Sequence, residues 1–106
     1  MRHFFVYMTF PDKETASRIA KTLVGERLAA CANILPGMES IYWWKGDMEQ
    51  TAECVCICKT TDAAYTALEA RVRELHPYDT PCLVALPLER GEGAFLRWIE
   101  EETQPR

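Results

Sequence analysis

The chain has 106 residues, a length that suits one domain with a single hydrophobic core. Hydrophobic residues make up 48% of the chain and charged residues 26%, as in an ordinary globular protein. The formal charge is −4, the isoelectric point is about 5.2, and there is no basic run. We therefore expect neither nucleic acid nor a membrane as a partner. No stretch is long and apolar enough to span a bilayer.

The first residues and the cysteine count bear on the location of the protein. The N-terminal apolar run is too short for the core of a signal peptide, and no small-residue cleavage site follows it. Five cysteines are an odd number, which argues against the disulfide framework of a secreted domain. We therefore expect a single domain over residues 1–106, located in the cytoplasm.

The first third of the chain predicts a strand, a helix and a second strand. Residues 4–9 (FFVYMT) form a strand-like run, and Asp12 is a typical helix N-cap. Apolar residues at helical spacing then predict an amphipathic helix over residues 13–26. The apolar, small-residue segment 28–35 predicts a buried strand that ends at the following Pro-Gly pair.

Residues 38–60 predict a long β-hairpin. Residues 40–45 (SIYWWK) are strongly strand-prone, and the Gly-Asp pair after them can supply a tight turn. The return strand covers residues 51–59. The three consecutive aromatic residues near the tip put an aromatic side chain on each face of the ribbon, which usually marks an interface. The alternative is that both tryptophans fold back onto their own subunit.

The remaining chain predicts a helix, a strand and a helix. After residues with N-cap chemistry at 60–62, an apolar stripe predicts a helix that ends at Leu75, before a His-Pro pair. Residues 82–88 predict a strand in which Pro87 indicates an edge or a strand end, and residues 91–102 predict a final helix. The order β-α-β-β-α-β-α predicts an α+β, ferredoxin-like fold. In this split βαβ sandwich, helices cover one face of an antiparallel sheet.

Three of the five cysteines alternate in the stretch ECVCICK, residues 53–59. Strand residues two apart lie about 6.5–7 Å from each other, whereas a disulfide needs Cβ atoms about 3.5–4.5 Å apart. The outer two lie about 13 Å apart, too far to share one metal ion, and no cysteine or histidine pair has zinc-finger spacing. We therefore predict that these cysteines are core residues on one strand face: Cys54, Cys56 and Cys58. The opposite face would carry Glu53, Val55, Ile57 and Lys59.

Six stretches occur in an order that is specific as a set. They are TFPD (9–12), LAACAN (28–33), SIYWWKG (40–46), Glu53 with Lys59-Thr60, HPYDTP (76–81) and FLRWI (95–99). Together they cover nearly the whole chain, and the chain resembles the CutA family of divalent-cation tolerance proteins. The resemblance implies a tight homotrimer similar in architecture to the PII signalling proteins. It also implies a cytoplasmic location, a link to tolerance of copper and other divalent metal ions, and no catalytic reaction.

The resemblance also suggests a set of copper ligands. In the family pattern they lie at the position of His76, at the residue before it, and at the residue before the first T-x-P, which are here His76, Leu75 and Met8. Imidazole and soft sulfur both suit copper, and Cys31 of the LAAC motif is a further sulfur candidate. The candidate metal ligands are therefore His76, Met8 and Cys31. The alternatives are a helix-terminal cap for His76 and core positions for Met8 and Cys31.

A second hypothesis, from a different class, is a PII-like trimeric ligand sensor or scaffold. Its inter-subunit cleft would bind a small anion or a partner peptide. The residues of this cleft would be Cys31, Trp44, Glu53, Lys59 and Tyr78. The pair of Glu53 and Lys59 would alternatively be an interfacial salt bridge that sets the register of the trimer.

Catalysis has little support in the sequence. The chain contains no nucleophile elbow, zinc-protease motif, P-loop or dinucleotide fingerprint. A nucleophile–base pair of Cys31 and His76 is conceivable, but no third group is placed to orient the histidine. We therefore expect that the protein is not an enzyme.

Overall fold

The structure, a computed structural model, describes residues 1–105 as a four-stranded antiparallel sheet with three helices. In chain order the elements are β1 (His3–Phe10), α1 (Lys13–Gly25), β2 (Cys31–Trp44), β3 (Asp47–Thr61), α2 (Asp62–Leu75), β4 (Leu83–Pro87) and α3 (Gly93–Glu102). The strand order across the sheet is β2-β3-β1-β4. The predicted α+β, ferredoxin-like order with a long β2–β3 hairpin and a C-terminal helix is confirmed, and β4 lies at an edge as Pro87 indicates.

The core lies between one face of the sheet and helices α1 and α2. The register of β1 and β3 places Val6 opposite Cys58, Met8 opposite Cys56, and Phe10 opposite Cys54. These side chains are buried and pack in one cluster with apolar helix residues, which include Ile19, Leu23, Leu68 and Val72. The alternation predicted for ECVCICK is therefore confirmed, with its three cysteines in the core.

The thiols of Cys54 and Cys58 behave as small apolar side chains. All five cysteines of the chain are free, and the sulfur atoms of Cys56 and Cys58 lie 4.0 Å apart. The hydrogen bond with Cys56 and burial raise the pKa of Cys58, and burial raises the pKa of Cys54. Both groups therefore stay protonated at neutral pH, which suits a packed interior.

The ends of α1 explain where the neighbouring elements begin. Asp12 accepts a hydrogen bond from the backbone N–H of Thr15 at 2.7 Å, which confirms the predicted N-cap. After α1, Arg27 adopts a φ of 64°, and the N–H of Leu28 donates back to the carbonyl of Leu23 at 2.9 Å. This turn occupies residues that the sequence predicts as strand, so β2 begins at Cys31 and not at residue 28.

The β2 strand continues through Pro36 and Gly37, where the sequence predicts a strand end. The register between β2 and β3 shifts between Leu35 and Met38, and Gly37 has a φ of 86°. Such a bulge needs a residue that tolerates positive φ, and an edge strand tolerates proline. The prediction of a buried strand that covers residues 28–35 and ends at the Pro-Gly pair is therefore wrong. The single β2 strand has a partner on one side only, and all of its residues are exposed or half-buried.

Helix α3 is attached at the end of the sheet that lies away from the hairpin tip. The ring nitrogen Nε2 of His3 lies 2.7 Å from the carboxylate of Glu100, and Arg27 donates to Glu102 at 2.9 Å. Ile99 is fully buried on the inner side of this helix. These contacts fix α3 against the start of β1 and the turn after α1. None of the helices in the described part of the chain has the length and apolar character needed to cross a bilayer.

Gly37 and Gly25 provide a matched test of the bulge. A Cβ atom added at either position would meet nothing within 4 Å, but only Gly37 has a positive φ. We expect Gly37→Ala to lower the free energy of unfolding by about 1–2 kcal/mol, because alanine is strained there. Gly25→Ala, at the end of α1, should raise it by about 0.4–1 kcal/mol. Chemical denaturation at one protein concentration measures both, and equal effects would show that the bulge does not require glycine.

Candidate functional site

Helices α1 and α2 leave one face of the sheet uncovered, and we call it the open face. Strand alternation and register place on it Phe5, Tyr7 and Thr9 of β1, Val55, Ile57 and Lys59 of β3, and Val84 and Leu86 of β4. The bulge keeps Met38, Ser40, Tyr42 and Trp44 of β2 on the same side as Glu53 of β3. The open face is thus largely apolar, with aromatic and charged groups towards the hairpin.

A cavity of about 690 Å³ lies on the half of the open face that is nearer the hairpin. Tyr7 and Thr9 of β1 belong to its lining, together with β2 residues from Met38 to Trp44 and the segment that follows α2. The hydroxyl of Tyr7 donates to the sulfur of Met38 at 3.4 Å, which joins β1 to β2 across β3. The volume is within the range of about 300–1,000 Å³ that small-molecule sites have.

Tyr78 and Glu53 form the polar part of this cavity. The hydroxyl of Tyr78 donates to Oε2 of Glu53 at 2.9 Å. Burial, followed by the hydrogen bond and charge of Glu53, raises the pKa of Tyr78 to about 12. The phenol therefore stays protonated at neutral pH and acts as a hydrogen-bond donor that orients the carboxylate.

His76 connects the cavity wall to the core. Its ring Nε2 lies 2.7 Å from the carbonyl oxygen of Thr9, and its Nδ1 accepts a hydrogen bond from the backbone N–H of Tyr78 at 3.1 Å. A carbonyl can only accept, so Nε2 carries the proton and the network selects a neutral imidazole. The ring is also stacked on Phe10, with 4.6 Å between the ring centroids. Both nitrogens are thus occupied, and His76 positions Tyr78.

The predicted metal ligands His76, Met8 and Cys31 are not brought together within one chain. Met8 is fully buried in the core, while Cys31 lies on the open face opposite Lys59. Within residues 1–105, no group of three or more His, Cys, Asp or Glu side chains is placed to hold a metal ion. The donors of a single chain therefore do not fit the copper site that the resemblance suggests.

The predicted cleft residues fall into two separate places. Trp44, Glu53 and Tyr78 line the cavity, whereas Cys31 and Lys59 are a neighbouring pair farther down the open face. The ammonium group of Lys59 donates to the side-chain oxygen of Asn33, and it lies 5.5 Å from the ring centroid of Phe5. Lys59 does not belong to the lining of the cavity, so its ammonium group is not placed to bind an anion there. Glu53 and Lys59 also form no salt bridge with each other in the described chain, although they share a face as predicted.

The proposed pair of Cys31 and His76 is also separated. His76 contacts Thr9, which pairs with Val55 of β3, whereas Cys31 pairs with Lys59, four residues farther along the same strand. Four residues along a strand correspond to about 13 Å. The imidazole therefore cannot act as the base for this thiol within one chain.

Several cavity residues were not identified from the sequence. They are Tyr7, Thr9, Met38, Tyr42 and Asp79. The alternation of residues 38–44 could have placed Tyr42 beside Trp44 on one strand face. The contribution of Tyr7 required knowledge that β1 lies beside β3, because the two strands are separated by more than 30 residues of sequence.

The hydrogen bond between Tyr78 and Glu53 predicts a measurable titration. In Glu53→Gln, the amide oxygen keeps the hydrogen bond but the negative charge is lost, so we expect the pKa of Tyr78 to fall from about 12 towards its ordinary value of 10.0. Titration of the tyrosine ring signals by NMR measures this shift, and Tyr78→Phe identifies the signal. An unchanged pKa in Glu53→Gln would contradict the contact.

The chain is similar to known proteins over nearly its whole length. The sequence model described as "CutA1 divalent ion tolerance protein" matches residues 4–102. The divalent-cation tolerance protein CutA of Thermus thermophilus is 48% identical over 98 residues, which cover 92% of this chain and 95% of the relative. The CutA protein of Archaeoglobus fulgidus is 43% identical over 102 residues, covering 96% and 99%. A match to the chloroplastic CutA 1 protein of rice spans only 56% of that longer relative.

Solved structures agree with this assignment. The Thermus thermophilus structure has a TM-score of 0.94 and 46% identity, and the alignment covers 96% of this chain and 99% of that chain. The structure of CutA1 from Oryza sativa has a TM-score of 0.95 and 40% identity, with coverage of 98% and 95%. Since sequence and fold match over nearly the whole length, the chain belongs to the CutA1 divalent ion tolerance protein family.

Proposed function

We propose that the protein acts in tolerance of divalent metal ions, as a cytoplasmic homotrimer that binds ligands and does not catalyse a reaction. Membership of the family supports the link to divalent metal ions. Five free cysteines fit a reducing compartment such as the cytoplasm. The separation of Cys31 from His76 within one chain supports binding over thiol catalysis.

The open face supports self-association of the chain. Leu35, Val84 and Leu86 lie on this face, and each leaves about half of its surface exposed, at 49%, 49% and 53%. Ile41, Trp43 and Met48 lie on the other side of the hairpin ribbon and are still more exposed. Exposed apolar surface of this kind usually marks a protein interface, because leaving it in water is unfavourable. Self-association would bury this surface, and the number of three subunits follows from the resemblance to the CutA family.

Leu86 offers a test of this assembly. We expect the wild-type protein to be a trimer by native mass spectrometry, and Leu86→Glu to shift it to monomer, because an interface would bury the new carboxylate. Thr66→Glu, on the exposed side of α2, adds the same charge away from the open face and should leave the trimer intact. A monomeric wild type, or equal assembly of both variants, would contradict the proposal.

Copper remains the metal ion that we propose, but its ligands must come from more than one subunit. Met8 lies in the core, and both nitrogens of His76 are occupied. Cys31 is the member of the predicted set with a half-exposed sulfur on the open face. Thiolates favour Cu(I), and a trimer would place three such sulfurs on the face that the subunits share.

Cys31 and Cys82 form the matched pair for the copper test. Native mass spectrometry of the reduced protein with Cu(I) should show copper bound to the trimer, and Cys31→Ser should lose it. Cys82→Ser removes another accessible thiol and should retain the copper. The copper proposal fails if Cys31→Ser binds as much Cu(I) as the wild-type protein.

The cavity favours a second candidate function, the sensing of a small molecule. Its volume of about 690 Å³ and its mixture of aromatic and polar groups are typical of a ligand site. The hydrogen-bonded pair of Tyr78 and Glu53 supplies fixed polar groups within it. This candidate does not depend on copper, and its ligand class follows from the charges that line the cavity.

A further inference from the structure

The charged groups that line the cavity are all acidic. Glu53 and Asp79 contribute carboxylates, and no Lys, Arg or His belongs to the lining within the described residues. Lys59, which the sequence suggested as a positive group, is held outside by Asn33 and Phe5. Like charges on partly desolvated walls give the cavity a negative potential. Anionic ligands are therefore disfavoured and cations are attracted.

Aromatic rings surround these carboxylates. Tyr42, Trp44 and Tyr78 line the cavity, and each keeps a substantial part of its surface exposed, between 37% and 44%. The faces of such rings attract cations within about 6 Å of the ring centroid. The ammonium group of Lys45 already lies 5.7 Å from the ring centroid of Trp44 within the chain. The rings of Tyr42 and Tyr78 make no such contact among the described residues, so no cation of the chain already occupies their faces.

One carboxylate oxygen of Glu53 can accept a further hydrogen bond or contact a cation. The phenol of Tyr78 holds its Oε2 atom, while Oε1 has no hydrogen-bond partner among the described residues. A bare divalent metal ion would need more donors, and no group of three His, Cys, Asp or Glu side chains is available in the described chain. A single oriented carboxylate within an aromatic wall suits a bulkier cation with apolar substituents.

We propose that the cavity binds a small organic cation, with its ammonium group held by the carboxylate of Glu53 and the aromatic rings of Tyr42, Trp44 and Tyr78. The apolar substituents of the ligand contact Tyr7 and Met38. This inference deepens the second candidate function and rests on the cavity of one chain, so it is independent of copper binding.

Three probes of nearly equal shape test the sign of the charge. Choline is the cation, 3,3-dimethyl-1-butanol is its neutral analogue, and 3,3-dimethylbutanoate is the anion. Isothermal titration calorimetry on the full chain, in its natural assembly, should show choline binding at least about tenfold more tightly than the neutral probe. The anion should bind least. Choline affinity should also fall as salt is raised, because the attraction is partly electrostatic.

Two isosteric variants locate the site. Glu53→Gln keeps the shape and the hydrogen bond of the side chain but removes its charge, and should weaken choline binding by at least about tenfold. Glu39→Gln removes the same charge from the other face of β2, outside the cavity lining, and should leave the affinity unchanged. Circular dichroism of both variants verifies that the fold is intact.

The outcomes separate this inference from the assembly proposal. Equal binding of choline and its neutral analogue, or equal affinities of the two variants, overturns the organic-cation site. The absence of choline binding to a verified trimer also overturns it, and would indicate that a neighbouring subunit fills the cavity. A monomer that binds choline through Glu53 supports the site while contradicting the homotrimer.

Discussion

The pairing of β1 with β3 is the interaction on which the rest of the structure depends. Eight residue pairs, from His3 with Thr61 to Phe10 with Cys54, make this ladder the centre of the sheet. One of its faces is fully buried under α1 and α2, and burial of each large apolar side chain there is worth about 1.5–3 kcal/mol. The same ladder has a second face, and strict alternation means that whatever is not core must point towards it. The helices are therefore responsible for stability, and the open face is left to provide the cavity and the apolar surface.

The two halves of the open face have different chemistry because the elements around them differ. Near α3, the ladder presents Phe5 and Ile57 with Lys59, whose ammonium group donates a hydrogen bond to Asn33. Near the hairpin, the segment after α2 passes alongside β2, and His76 fixes that segment by bonding both to Thr9 and to Tyr78. A cavity forms only in this second half. An apolar surface and a polar, acidic cavity can thus occupy one sheet face without competing for the same side chains.

The fold could be predicted largely from the sequence, because periodicity and capping residues report local structure directly. Asp12, the alternating cysteines and the edge position of Pro87 all followed from such signals. The errors arose where distant residues decide the outcome. Pro36 and Gly37 look like a strand end, yet β3 keeps β2 in the sheet on both sides of them. Local spacing could not show that Asn33 would accept a hydrogen bond from Lys59, or that the carbonyl oxygen of Thr9 would accept one from His76. Trp44, Glu53 and Tyr78 could be grouped from the sequence and line one cavity, whereas the position of Lys59 outside it depends on tertiary contacts.

The bulge in β2 also bears on how the chain avoids unwanted association. A long edge strand with aromatic residues offers unpaired backbone groups to any extended segment that approaches it. Pro36 has no backbone N–H that an approaching strand could bond to. The register shift beside Gly37 divides the edge strand into two shorter runs, residues 31–35 and 38–44. A foreign strand that pairs with one run is out of register with the other. The irregularity that directs Met38 and its neighbours towards the cavity thus also makes the exposed edge a poor template for amyloid-like growth while the protein folds.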